Sequence, residues 1–154
     1  MLAVSGCTEN DGNDINASSP ADVGMISASS LGDINSALED GPVLAMIGFD
    51  SCPGCKVQKP IMEDISLEYQ DRATVIYIDT QKVGTLGFSV YYVPDSFVIT
   101  DIENGTYVYM RRDGRTTTDR LEKDARFIGV TRKADLTQTL DYALKERSKN
   151  TAEN

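Results

Sequence analysis

Two cysteines separated by two residues, Cys52-Pro53-Gly54-Cys55, stand where one kind of hydrophobic pattern gives way to another. Ahead of them Val43-Leu44-Ala45-Met46-Ile47-Gly48-Phe49 is a continuous apolar run opened by Gly41-Pro42, the pattern of a strand buried on both faces. Behind them, from Lys56 to Gln70, the spacing of Val57, Ile61, Ile65 and Tyr69 predicts a helix with those residues on its inner side. Pro60 inside that helix removes one backbone hydrogen bond and predicts a kink. Cys52 therefore falls at a helix N-terminus, where unpaired N–H groups and the helix dipole stabilise a thiolate over a thiol. The stretch reads as a redox dithiol, with Cys52 as the exposed nucleophile and Cys55 shielded one helical turn further in.

Composition narrows the chemistry further. The chain contains no histidine, which removes a Ser-His-Asp triad, a Cys-His dyad and a His-containing zinc site together. Three cysteines leave only Cys7 outside the pair, so there is no disulfide framework. The net charge of −9 argues against nucleic acid or an anionic membrane surface as the main partner. A length of 154 residues suits one domain that buries on the order of 70% of its unfolded surface.

Taken in order, residues 1–22 lack apolar periodicity and read as a flexible tether. Val23 to Ala28 reads as a short edge strand, and Ser30 as the N-cap of a helix carrying Leu31, Ile34, Ala37 and Leu38. After the dithiol helix, Ala73-Thr74-Val75-Ile76-Tyr77-Ile78 is a β-branched run that predicts a second central strand, parallel to the first because a helix connects them. A short helix is expected near Val83 to Phe88, ahead of Val93-Pro94-Asp95. Ser96 to Thr100 and Thr106 to Met110 predict an antiparallel pair around the hairpin signal Asn104-Gly105. Arg111 to Arg126 holds six basic and four acidic residues and reads as a solvated loop with one helical turn begun by Asp119 and Glu122, or as a specificity loop for an acidic partner. Thr131 opens a last helix with Leu136, Leu140, Ala143 and Leu144 as its stripe, running out near Ser148, so that residues 149–154 read as a disordered tail. No internal repeat and no transmembrane span is visible.

This order of elements resembles the thioredoxin superfamily. The match rests on Cys52-x-x-Cys55 after a buried strand, on Pro60 five residues beyond Cys55, and on Val93-Pro94 where that family has a cis-proline facing the dithiol. Gly129, ahead of the last helix, fits the same pattern. The resemblance implies an α/β, three-layer fold over residues 23–148, with a central mixed sheet of four to five strands flanked by helices. It implies a thiol-disulfide oxidoreductase with Cys52 attacking and Cys55 resolving, Val93 and Pro94 binding substrate, and Ser51, Pro53 and Gly54 forming the active-site loop. Protein disulfides or dithiols and a redox-recycling partner are the implied partners. A monomer without cofactor or metal is expected. The chain departs from the family at Ser51, where an aromatic is usual, and at Asp95, where threonine is usual. It also has Met46 where thioredoxins bury an aspartate and Val75 in place of that aspartate's lysine partner.

Leu2-Ala3-Val4-Ser5-Gly6-Cys7 resembles a lipobox, the signal at which a prolipoprotein is cleaved and its cysteine lipidated. A full signal has a basic start and about 7–15 apolar residues ahead of the cleavage site, more than precede Cys7 here. The reading is a signal shortened at its front, with a lipidated Cys7 anchoring an extracytoplasmic protein to a membrane; the alternative is a cytoplasmic protein with a short leader. For the Cys52 and Cys55 pair itself, a zinc site shared between molecules, a permanent structural disulfide and a membrane-tethered binding module with little redox turnover remain as competing readings.

Overall fold

The computed structural model describes residues 24–153. The chain runs β1 (Ile26–Ser27), α1 (Leu31–Asp40), β2 (Val43–Gly48), α2 (Pro53–Glu68), β3 (Thr74–Asp79), α3 (Thr80–Val83), β4 (Asp95–Glu103), β5 (Thr106–Met110), β6 (Thr116–Thr117), β7 (Phe127–Ile128) and α4 (Lys133–Ala152). The strands form one mixed sheet in the order β1-β3-β2-β4-β5-β6, with β7 on the first residues of β4. β2 pairs parallel with β3 and antiparallel with β4, so every residue of β2 is interior. Its side chains alternate between two cores. Leu44 and Met46 pack with Met62 and Ile65 of α2 and Leu136, Leu140 and Ala143 of α4. Val43, Ala45 and Ile47 pack with Ile34 and Leu38 of α1. The result is three layers, helices on both faces of the sheet.

Local chemistry explains most of the boundaries. Asp33 Oδ2 accepts from Ser29 N at 2.7 Å and Ser30 N at 3.0 Å, fixing the start of α1 just after Ser30. Asn104 and Gly105 both have positive φ, 50° and 77°, the backbone of a tight two-residue hairpin.

Four expectations are corrected. The inner face of α2 is Cys55, Gln58, Met62, Ile65 and Ser66, whereas Val57 is exposed. Burial of Cys55 sets the helix phase, and at 100° per residue Val57 is carried out of the core. The short helix falls at Thr80–Val83 rather than near Val83 to Phe88. Asp79 Oδ1 caps it by accepting from Gln81 N at 3.0 Å, and positive φ at Gly84, Leu86 and Gly87 forbids helix beyond. Helix α4 continues past Ser148 to Ala152, held by Thr151 Oγ1 donating to the Arg147 carbonyl at 3.0 Å. Residues 149–152 are thus helix, not tail.

The fourth correction concerns the charged segment 111–126, which has the expected turn after Asp119 and Glu122 and is exposed at half its residues, but is tied down by the buried Arg120 and Ala125 rather than solvated throughout. β6 pairs with β5, a 3-10 turn over Lys123–Ala125 buries Ala125, and Arg111 bridges Asp113, Glu122 and Asp124 at 3.3–3.5 Å. Arg120 from this segment is buried. Among the described residues no helix is long and apolar enough to cross a membrane. Cys7 and the 1–22 tether lie outside the described residues.

Candidate functional site

The dithiol sits where β2 hands over to α2. Cys52 N donates to the Phe49 carbonyl at 3.2 Å, turning the chain out of the strand. Cys52 is the N-cap of α2, and its Sγ accepts from Cys55 N at 3.2 Å. Pro53 then takes the first helical position, where its missing N–H costs nothing. Both cysteines are free thiols.

Burial separates their roles less sharply than the sequence suggests. Cys52 is 5% exposed and Cys55 0%, so Cys52 is the sulfur a partner can reach, but it is largely covered rather than open. Its neighbours explain the cover. The peptide bond between Val93 and Pro94 is cis, and the Cys52 thiol faces the Val93 carbonyl at 4.0 Å. A Cβ on Gly54 would lie 3.1 Å from Pro94 Cδ and 3.6 Å from Val130 Cγ2, so the absent side chain lets Pro94 come close to the motif. Gly129, at φ 80°, donates its N–H to the Pro94 carbonyl at 2.8 Å and ties this loop to the turn before α4. Ser51 and Pro53 are exposed beside the cysteines.

Burial pushes the Cys55 thiol up to about 12, helped by its hydrogen bond to Cys52. A thiol raised in the folded state stabilises that state while protonated, fully below about pH 9 and less as the pH climbs toward about 12. The stability advantage of reduced wild type over Cys55→Ala is therefore expected to shrink across that window. Urea melts at pH 8 and at pH 11 check this; a constant difference would contradict it.

Two residues essential to the site's shape carry little sequence signal. A Cβ on Gly48 would lie 2.6 Å from Cys55 Sγ and 3.3 Å from Cys55 Cβ, so glycine there makes room for the second sulfur. Gly48→Ala is expected to destabilise the protein by about 1–3 kcal/mol through overpacking, read as a lower urea midpoint with unchanged slope. Gln58, wholly buried, is the other. Thr131 N donates to its Oε1 at 2.6 Å and its Nε2 donates to the Thr131 carbonyl at 3.2 Å, pinning α2 to the turn that holds Pro94. In sequence it is one polar residue among several in α2, and nothing there singles it out.

Asp50 and Lys56, the charges flanking the motif, do not pair with each other. Asp50 binds Lys59 at 2.9 Å and accepts from the Tyr77 hydroxyl at 3.4 Å, and the Lys59 ammonium lies 4.2 Å from the Tyr77 ring centroid. Lys56 is exposed. Tyr91 and Tyr92, 68% and 70% exposed, stand in solvent beside Pro94 rather than packing in the core. Met46 is buried in the same apolar cluster as Cys55.

A three-layer α/β fold with a dithiol at a strand-to-helix junction, opposite a proline loop, defines a class before any comparison. Solved structures with the same architecture include a thioredoxin variant from Halobacterium salinarum NRC-1, at 17% identity and TM-score 0.58, covering 79% of this chain and 91% of that one. Another is a Trichomonas vaginalis thioredoxin, at 20% identity and TM-score 0.53, covering 74% of this chain and 96% of that one. No protein-family model and no curated sequence matches the chain. The chain shares the fold of these two thioredoxin structures.

Proposed function

We propose that the protein is a thiol-disulfide oxidoreductase acting on protein disulfides, with Cys52 attacking and Cys55 resolving. The observation that carries this reading is the seating of Cys52 Sγ between the Cys55 N–H and the Val93 carbonyl, at 3.2 Å and 4.0 Å. An amide donor on one side and a carbonyl on the other hold the sulfur in one place for attack on a disulfide. The Cys52 thiolate attacks one sulfur of a partner disulfide, that S–S bond breaks, and the departing thiolate takes a proton. Cys55, once deprotonated, attacks Cys52 Sγ and releases the second partner thiol. The partner gains two electrons and the protein is left with a Cys52–Cys55 disulfide. A dithiol reductant must restore it, or the sequence runs in reverse as oxidation.

One observation favours the alternative of a binding module with little turnover. Met46 shares the apolar cluster of Cys55, and burial holds the Cys55 proton tightly, so resolution is expected to be slow. Reduction of insulin disulfides with dithiothreitol as electron source decides between them. Turnover above the dithiothreitol background supports the oxidoreductase; stable partner binding without turnover supports the module. The lipobox resemblance at Cys7 adds the proposal that this chemistry works outside the cytoplasm, tethered to a membrane. Intact mass of native protein tests it: a diacylglycerol-sized increment on Cys7 supports the tether, and unmodified Cys7 overturns it.

A further inference from the structure

A buried ion pair lies directly behind the proline loop, on the face of the sheet away from the cysteines. Asp95, the residue after Pro94, is 0% exposed, and Arg120 from the 111–126 segment is 6% exposed; Arg120 Nη1 donates to Asp95 Oδ2 at 2.9 Å. The same guanidinium donates through Nη2 to the Ser89 carbonyl. It lies against a pair of aromatic rings that also touch each other, with Cζ 4.7 Å from the Phe97 centroid and 5.7 Å from that of Phe88. One fork thus holds both ends of the stretch 90–94, which carries exposed Tyr91 and Tyr92, the Val93 carbonyl and Pro94. Gly129 N holds its last residue through the Pro94 carbonyl at 2.8 Å.

We propose that Arg120 is a positioning residue for the dithiol site, its guanidinium stapling Ser89 to Asp95 so that the Val93 carbonyl is presented to Cys52 and to a substrate strand in one fixed geometry. This rests on the oxidoreductase reading for its consequence, but not for its geometry. The fork is the essential element. Arginine offers two donors in a rigid plane to two acceptors, whereas lysine offers one compact charge. Lysine at position 120 keeps a positive partner for Asp95 and gives up the Ser89 tie. The acceptor side is asymmetric too, since Asp95 Oδ1 has no hydrogen-bond partner among the described residues. The 111–126 segment thereby acts on the site from behind, without touching substrate.

The test uses Arg120→Lys, with Arg120→Met as the harsher variant should both fold. In Arg120→Lys, chymotryptic cleavage after the exposed Tyr91 and Tyr92 is expected to speed up about tenfold, with cleavage within β4 unchanged, because one charge-assisted hydrogen bond that holds the stretch is lost. KM for insulin disulfide reduction is expected to rise about tenfold with kcat within twofold, and alkylation of Cys52 by iodoacetamide to stay within twofold of wild type. A variant cleaved after Tyr91 and Tyr92 at the wild-type rate overturns the staple. Faster cleavage with an unchanged KM overturns its role toward substrate. If wild type turns over no disulfide, the oxidoreductase reading fails by itself, and the cleavage arm still decides whether Arg120 positions the loop.

Discussion

Cys52→Ala is expected to lower disulfide reductase activity by at least ~10³-fold, while Cys55→Ser is expected to leave the first attack intact and accumulate a mixed disulfide with substrate. The asymmetry follows from position. Cys52 retains the little accessible surface the pair has, whereas Cys55 is sealed beneath Gly48 and Met46. Both variants should fold. Cys52 contributes a sulfur cap to α2, and its loss costs on the order of 1 kcal/mol, a shift of a few degrees in melting temperature. Mass spectrometry of each variant after incubation with a disulfide substrate reads the outcome. Trapping by Cys52→Ser and not by Cys55→Ser would reverse the assigned roles.

The second large effect is on stability and comes from the pair behind Pro94. Arg120→Met is expected to destabilise the protein by about 3–5 kcal/mol at neutral pH, because it leaves the Asp95 carboxylate buried without its partner. The double variant Asp95→Leu with Arg120→Met should recover most of that, since apolar replacement of a buried pair is close to neutral. The pH dependence has a definite sign. Burial pushes the Asp95 carboxyl up, and the Arg120 and Arg126 guanidinium groups oppose it. A carboxyl raised in the folded state favours folding while protonated, and that contribution is lost as the pH rises through its folded value. Removing Arg120 takes away the opposing charge and deepens the loss, so the deficit of Arg120→Met should narrow as the buffer is lowered from pH 7 toward pH 4. Urea melts at both values check it. A deficit under 1 kcal/mol with no pH dependence would show that the pair is not a buried charge pair.

What could be read ahead of the structure was local. The run Val43 to Phe49, the cysteine spacing and the Asn104-Gly105 turn each encode their conformation within a few residues, and each forms the element expected of it. Where the reading slipped, two local rules competed. Val57, Ile61, Ile65 and Tyr69 satisfy a helical period, but so do Cys55, Gln58, Met62 and Ile65, and only contact with the sheet chooses between phases. The 111–126 segment looked like a solvated loop because its charges are dense. Their partners, Asp95 for Arg120 and the trio of carboxylates around Arg111, become visible only when the chain is folded back on itself.

The sequence by itself determined the dithiol, its place at the head of a helix and the α/β order of elements, because these depend on hydrophobic period, turn residues and the spacing of two thiols. Only the tertiary structure decided how the dithiol is housed. Gly48 clears space for a sulfur seven residues on, Gln58 grips Thr131, and Arg120 braces Ser89 and Asp95 across 31 and 25 residues of chain. Such contacts join residues with no local relation. Their strength comes from burial, which no stretch of sequence possesses until the sheet and its helices have closed around it.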